Sequence, residues 1–213
     1  MIKIEIISMI KNEVGRIDPT QEYHNRVLEA VIEQVLKEMY ADLYKINPLL
    51  IDNFTQTFGA TTPIAISKEN TSGIYYSTLP SPIVNIPAKG LGVRHIYPIV
   101  QTGNVFVPID AREADLIYST DVPTVTSKIG FRTRQDTRVD YYHMATAIIA
   151  TGVRMDLLIP FSEYADTDVV NIPELGKKEG GTFVERVMEA LQTIPPSDLD
   201  DDNAPQETQQ KTK

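Results

Sequence analysis

Apolar and polar positions alternate with helical periodicity over the first part of the chain. Within residues 2–14, apolar side chains recur at steps of three and four, which predicts an amphipathic helix ended by Gly15. Asp18 matches the cap of a second helix, with a proline at its first position, and this helix continues to Asn47. The sequence therefore predicts a helical hairpin over residues 1–48.

The second helix has a long apolar stripe. Its members recur at three- and four-residue steps and are Val27, Leu28, Val31, Ile32, Val35, Leu36, Met39 and Leu43. Glutamate and lysine side chains occupy the other face, so the pattern predicts one buried face. That face can pack on its own domain or against a neighbouring subunit, and under the second alternative Leu28, Val31 and Val35 are candidate interface residues.

After the second helix, short β-branched and aromatic runs are separated by glycine, proline and polar loops. Such runs predict strands, at residues 50–58, 61–67, 74–79, 96–100, 105–108, 128–134, 139–143, 144–150 and 153–160. Thr102, Gly103 and Asn104 predict a hairpin turn between two of these strands, and residues 111–118 have weak helical character. Frequent prolines favour edge strands, so we expect an antiparallel sheet or a small sandwich in residues 49–162.

The remaining residues form two further segments. Residues 163–194 contain a loop and then a helix, in which Thr182 and Glu185 match a capping box. Residues 195–213 have a disordered composition, with five acidic side chains, two lysines and few apolar residues. We expect this acidic tail to order only against a partner subunit. Together these elements predict an α+β protein.

A proline-rich segment precedes the predicted strand at residues 96–100. Four prolines lie within residues 79–98, and each removes a backbone donor and fixes φ, so this segment cannot be an interior strand along its length. Ile83, Val84, Ile86 and Leu91 make it too apolar for a free loop. We therefore expect an extended arm that contacts an adjacent chain.

The charge balance of the chain is acidic. Its net charge is −9 and its pI is about 4.8, whereas a general nucleic-acid binder needs a basic surface to neutralise phosphates. One basic cluster departs from this balance and comprises Lys128, Arg132, Arg134 and Arg138. Within it, Arg132 and Arg134 lie at alternating positions of a predicted strand and share a face. They can pair with Asp136 and Asp140, or they can contact an acidic surface of the next subunit.

No motif predicts catalysis, a cofactor or a metal site. The chain has no cysteine, which excludes thiolate and disulfide chemistry. His24, His95 and His143 lie on separate elements without ligand spacing. Ser8 and Lys11 match the serine–lysine spacing of penicillin-recognising enzymes, but the companion motifs are missing. We expect neither a signal peptide nor a membrane span.

The order of these features resembles a known class of virion proteins. A helical pair precedes a proline-rich β region with Leu-Pro at residues 79–80, Ile-Pro at 86–87 and Gly-Val-Arg at 92–94. Residues 157–175, which read LLIPFSEY…VVNIPEL, then lead to a last helix and a polar tail. This order resembles ring or adaptor proteins of tailed phages, particularly the short-tailed crAss-like group, over most of residues 1–194.

The resemblance implies a non-enzymatic head–tail connector ring that lies beneath the portal protein. It also implies a cyclic homo-oligomer of about twelve subunits, in contact with the portal and with other ring or tail proteins. Phage DNA would pass through the lumen without sequence-specific binding, and the protein would be made in the host cytoplasm and end in the virion. The alternatives are another tail or neck component, such as a tail-tube or terminator protein, and a hydrolase with dispersed catalytic residues.

Overall fold

The structure is a computed structural model that describes residues 1–19, 23–100, 105–114, 128–134, 137–174 and 182–194. The helices are α1 (Lys3–Ile17), α2 (Asn25–Ile46), α3 (Thr146–Thr151) and α4 (Phe183–Gln192), with 3-10 helices at Pro48–Phe54 and Phe161–Glu163. The strands are β1 (Gln56–Phe58), β2 (Ser67–Lys68), β3 (Tyr75–Thr78), β4 (Val93–Pro98), β5 (Val105–Pro108), β6 (Lys128–Arg134), β7 (Arg138–Tyr142) and β8 (Val153–Leu157). These elements confirm the α+β class, and the predicted disordered tail lies outside the described residues.

Helix α1 is longer than the sequence pattern predicted. It continues through Gly15 and ends at Ile17, so the prediction that Gly15 ends the helix is wrong. A glycine in a helix costs only about 1 kcal/mol relative to alanine. The buried face of α1, with Ile6 and Ile10 fully buried, stabilises the helix by more than this cost.

Helix α2 begins later than predicted. Asp18 closes α1, because its backbone N–H donates to the carbonyl oxygen of Val14 at 2.9 Å, and the residue that precedes α2 is His24. The prediction that Asp18 caps the second helix is therefore wrong. The predicted apolar stripe is confirmed, since all its members from Leu28 to Leu43 are buried. Helix α2 contacts α1, as the predicted hairpin requires, and packs more extensively against α4.

Two sheets form the β-rich part of the molecule. The three-stranded sheet has the order β1-β8-β4 and is antiparallel, and the five-stranded sheet has the order β2-β3-β7-β6-β5. In the second sheet β5 runs parallel to β6, and the other neighbours are antiparallel. Pro98 and Pro108 end the edge strands β4 and β5, as expected for residues that lack a backbone donor.

The predicted hairpin between β4 and β5 is wrong, because the two strands belong to different sheets. Ile96 of β4 pairs with Met155 of β8, whereas Phe106 of β5 pairs with Ile129 of β6. Each pairing buries apolar side chains in the core, and this burial outweighs a local turn preference. The predicted turn at residues 102–104 lies outside the described residues.

Two apolar runs that were predicted as strands are helical. The first is the 3-10 helix Pro48–Phe54, which starts there because the side chain of Asn47 accepts the Leu49 N–H at 3.1 Å. The second is α3, which Gly152 ends with a φ of 80°. Periodicity alone cannot separate a strand from a helix in such short apolar runs. The weak pattern at residues 111–118 is helical at 111–114, and its remainder lies outside the described part.

One apolar core runs through the helices and both sheets. It includes Ile10 of α1, Phe131 of the five-stranded sheet, Met155 of the three-stranded sheet and Val187 of α4, each at most 1% exposed. The three predicted segments before the tail therefore share a core, and their boundaries mark changes of secondary structure.

Candidate partner-binding surfaces

The proline-rich segment connects the two sheets. The N–H of Val84 donates to the carbonyl oxygen of Leu158, and the N–H of Leu158 donates to that of Gly92, both at 2.8 Å. These bonds fix the segment just beyond β8. The Thr133 hydroxyl of β6 donates to the carbonyl oxygen of Gly90 at 3.0 Å. The segment thus contacts both sheets of its own chain.

The apolar side chains of this segment are covered within the chain. Ile83, Val84 and Ile86 are 5%, 7% and 2% exposed, and Leu91 is half-buried. Close packing depends on Gly92, because a Cβ there would lie 2.6 Å from the carbonyl oxygen of Val84. A single chain therefore supplies the apolar surface that the arm requires, and its contact with an adjacent chain stays a prediction.

The three candidate interface residues of α2 lie in the same core. Leu28, Val31 and Val35 are buried, and they belong to the main apolar cluster. Packing within one chain therefore accounts for the apolar stripe. An additional role for these residues in a subunit interface also stays a prediction.

The outer face of the five-stranded sheet carries the basic cluster. Arg132 and Arg134 of β6 alternate with buried residues such as Phe131, and therefore share the outer face. The register of β7 places Arg138 opposite Arg134, and Asp140 opposite Arg132. The structure thus brings together the three arginines of the predicted basic cluster.

Two carboxylates and an aromatic ring hold Arg138 in place. Its Nη1 and Nη2 atoms donate to Glu69 Oε1 and Oε2 at 3.0 and 3.3 Å, and its Nε atom donates to Asp140 Oδ1 at 2.5 Å. The guanidinium lies over the Tyr76 ring, 4.4 Å from its centroid. Hydrogen bonds from Arg138 and Ser72 lower the pKa of Glu69 to about 2, and the same partnership with Glu69 raises the pKa of Arg138.

Arg134 shares the second of these carboxylates. Its Nη1 atom lies 3.4 Å from Asp140 Oδ2, and Asp140 is only 1% exposed. This contact confirms the predicted pairing with Asp140 for Arg134 but not for Arg132, and Asp136 lies outside the described residues. Substitution of either arginine would leave the buried carboxylate of Asp140 with less compensating charge and would therefore destabilise the fold.

A depression of about 410 Å³ opens on this face. Its lining residues are Arg132, Thr133, Arg134, Thr137 and Arg138. Arg132 interacts with the hydroxyl of Tyr142, and among the described residues no carboxylate lies within 4 Å of its guanidinium. We call this surface the arginine depression. Such a surface can bind anionic groups through charge-assisted hydrogen bonds.

Partly or fully exposed apolar side chains lie on two segments, Leu49, Leu50 and Phe54 on the 3-10 helix, and Met1 and Val169 at the bridge between Ile2 and Val169. We call these five side chains the N-terminal apolar surface. Leu49 is 74% exposed, and Met1 and Val169 are more than half exposed. Met1 and Phe54 line one shallow depression of about 520 Å³. The backbone carbonyl oxygen of Met1 accepts the N–H of Val170. The sequence pattern does not indicate this surface, because it predicts a strand at Leu50, whereas the 3-10 helix exposes Leu49 and Leu50 to solvent.

The hydrolase alternative has one partial match in the structure. His95 Nε2 lies 3.0 Å from Asp52 Oδ2, which is the pairing of the base and its orienting carboxylate in a catalytic triad. Across the described ranges no serine or threonine hydroxyl hydrogen-bonds to His95, and Asp52 also accepts from Arg94 at 2.9 Å. The same ranges contain no group of side chains that could hold a metal ion, and no helix long and apolar enough to cross a membrane.

Comparison with the models of known protein families and with curated proteins finds no match. A proposal for the function therefore depends on the order of sequence features and on the two surfaces described above.

Proposed function

We propose that the chain is a structural, non-enzymatic subunit of a head–tail connector ring in a tailed phage. The ring is a cyclic homo-oligomer beneath the portal protein, and phage DNA passes through its lumen. The order of sequence features supports the phage assignment. The N-terminal apolar surface is the observation that supports assembly into a ring.

Large apolar side chains in contact with water favour association. Leu49 is 74% exposed and Val169 is 62% exposed, and full burial of a side chain of this size stabilises by about 1.5–3 kcal/mol. Exposed apolar patches on folded proteins commonly mark interaction sites. In a cyclic ring, such a patch contacts a different surface of the next subunit, and the contacts close after a full turn.

The acidic balance of the chain is compatible with a DNA channel. The net charge is −9, and a surface of the same sign as the phosphate backbone does not retain the duplex. A ring subunit of this charge can surround DNA and leave its sliding unhindered.

The mass and shape of the purified full chain test this proposal. We expect closed rings in negative-stain images and a multiple of the subunit mass of 23.8 kDa in solution. Leu49→Asp places a charge on the N-terminal apolar surface and should abolish the rings. Thr61→Asp adds the same charge at another exposed position, and its rings should be intact.

Circular dichroism of both variants should match that of the parent chain, because both positions are exposed. A parent chain that is monomeric at every concentration would contradict the proposal. Rings that form equally well with Leu49→Asp would show that the N-terminal apolar surface does not carry the assembly.

A further inference from the structure

The arginine depression carries an excess of positive charge. Arg138 is occupied by Glu69 and Asp140, and Arg134 shares Asp140 at 3.4 Å while its side chain is 49% exposed. Arg132 contributes a third guanidinium without a carboxylate partner among the described residues. Among the described residues, the three guanidinium groups therefore carry more positive charge than the two carboxylates neutralise.

The groups that line this depression favour carboxylates as ligands. A guanidinium presents a planar fork of donors that matches a carboxylate in two parallel hydrogen bonds. Arg138 is held by Glu69, Asp140 and the Tyr76 ring, so one wall of the depression is already ordered before a ligand binds. A preordered wall lowers the entropic cost of binding. Arg132 and Arg134 supply the donors that remain available.

The sequence itself contains a segment of complementary charge. Residues 198–202 read Asp-Leu-Asp-Asp-Asp and place four carboxylates close together in the tail. The chain as a whole has a net charge of −9, whereas the arginine depression is basic. An acidic run can neutralise the charge of such a surface. Charge complementarity therefore selects this acidic run as the occupant.

The acidic run is long enough to reach a second copy of the chain. Asp198 and Asp202 follow Ile194 by four and eight residues, and an extended chain spans about 3.5 Å per residue, which allows separations of up to about 14 Å and about 28 Å. Helix α4, which leads to Ile194, packs against α1 and α2, and the arginine depression lies on the outer face of the five-stranded sheet. The proposed ring places a neighbouring copy beside each subunit, and an acidic run with this reach can bind the arginine depression of that neighbour.

We infer that the arginine depression binds the acidic run at residues 198–202 of a second copy of this chain. The acidic run then acts as a link between neighbouring subunits. The inference deepens the proposed function and rests on it for the presence of a neighbouring copy. The binding of an acidic peptide by Arg132 and Arg134 can be measured independently of any ring.

The first test is a binding titration. The receptor is the full chain in which the four aspartates of residues 198–202 are replaced by asparagine, so that its own tail does not compete. The probe is a fluorescent peptide of residues 196–205, followed by fluorescence anisotropy. We expect binding that weakens as salt screens the charges. R132Q/R134Q should weaken it by about tenfold or more, since two charge-assisted contacts are lost.

The matched control is R26Q/K37Q, which removes the same two charges from exposed positions of α2 and should leave binding unchanged. A peptide with asparagine in place of the four aspartates should not bind. The inference is overturned if the parent peptide does not bind, or if both pairs of substitutions weaken binding equally. It is also overturned if duplex DNA binds through Arg132 and Arg134 while the peptide does not.

A crosslinking test identifies the copy that supplies the tail. A photo-crosslinking residue replaces Leu199, and isotope-labelled and unlabelled full chains are mixed before illumination. Crosslinks between position 199 of one isotope and β6 of the other support a second copy, whereas crosslinks confined to one isotope overturn that assignment. If the parent chain forms rings but the peptide does not bind, the inference about the acidic run is overturned and the proposed function is not. A strictly monomeric parent chain would contradict the proposed function.

Discussion

Replacement of Ile86 by alanine tests whether the proline-rich segment belongs to the core of a single subunit. Ile86 is 2% exposed in the isolated chain, although prolines surround it and its backbone is irregular. A segment ordered only by a neighbouring chain would leave this side chain without packing partners in the monomer. The two possibilities predict different stabilities for the variant.

The expected cost follows from the burial of Ile86. Alanine lacks three of its carbon atoms, and at about 0.8 kcal/mol for each buried CH₂ the loss of transfer free energy is about 2.5 kcal/mol. Neighbours fixed by hydrogen bonds, such as Val84 to Leu158 at 2.8 Å, cannot collapse fully into the space. A residual cavity then raises the free-energy cost to about 3–4 kcal/mol.

Urea unfolding of the monomer, followed by circular dichroism, measures this cost. We expect Ile86→Ala to lower the midpoint without a change in the slope. The matched control is Ile99→Ala, which deletes the same atoms from a side chain that is 44% exposed and should cost about 1 kcal/mol or less. Hydrogen exchange should find the Val84 amide protected in the free subunit.

A cost below about 1 kcal/mol for Ile86→Ala would refute this reasoning. Fast exchange of the Val84 amide in a subunit with protected core amides would refute it as well. In that case the segment would depend on a neighbouring chain for its order, as the sequence pattern suggested.

Three further substitutions probe separate features. Val35→Asp places an unpaired charge in the core at a cost of several kcal/mol, so circular dichroism of the isolated chain should lose its cooperative thermal transition. Thr182→Ala removes the cap that accepts the Glu185 N–H at 3.4 Å and should lower the free energy of unfolding by about 1 kcal/mol in urea. Glu69 has a pKa lowered from 4.5 to about 2, so its ion pair with Arg138 stabilises the fold above pH 4.5 and this contribution is lost as the pH falls towards 2. The difference in urea midpoint between the parent chain and Glu69→Gln should therefore be constant near neutral pH and shrink in acid.

Each of these expectations has a contradicting result. A normal thermal transition of the Val35→Asp variant would mean that the side chain at position 35 is exposed to water. An unchanged midpoint for Thr182→Ala would mean that solvent replaces the cap. A Glu69→Gln difference that grows as the pH falls would have the wrong sign for a carboxylate with a lowered pKa.

Local sequence determined the elements whose signals repeat over several turns or residues. The stripe of α2 predicts its buried face because eight apolar positions recur at helical spacing, and all but the first are buried. The capping box of Thr182 and Glu185 marks the start of α4 because both partners lie within one turn. Alternation along β6 likewise placed Arg132 and Arg134 on one face. In each case the decisive contacts lie close together in the sequence.

Tertiary structure decided the features that depend on distant partners. Strands β4 and β5 separate into two sheets because each buries its apolar side chains against a strand far along the chain. The pairing of β3 with β7 brings Glu69 close to Arg138, and no local sequence pattern predicts this ion pair. The proline-rich segment is ordered by Leu158 and Thr133, which lie tens of residues away from it. The periodicity of the sequence predicts which side chains are buried, and only the tertiary structure determines which surface covers them.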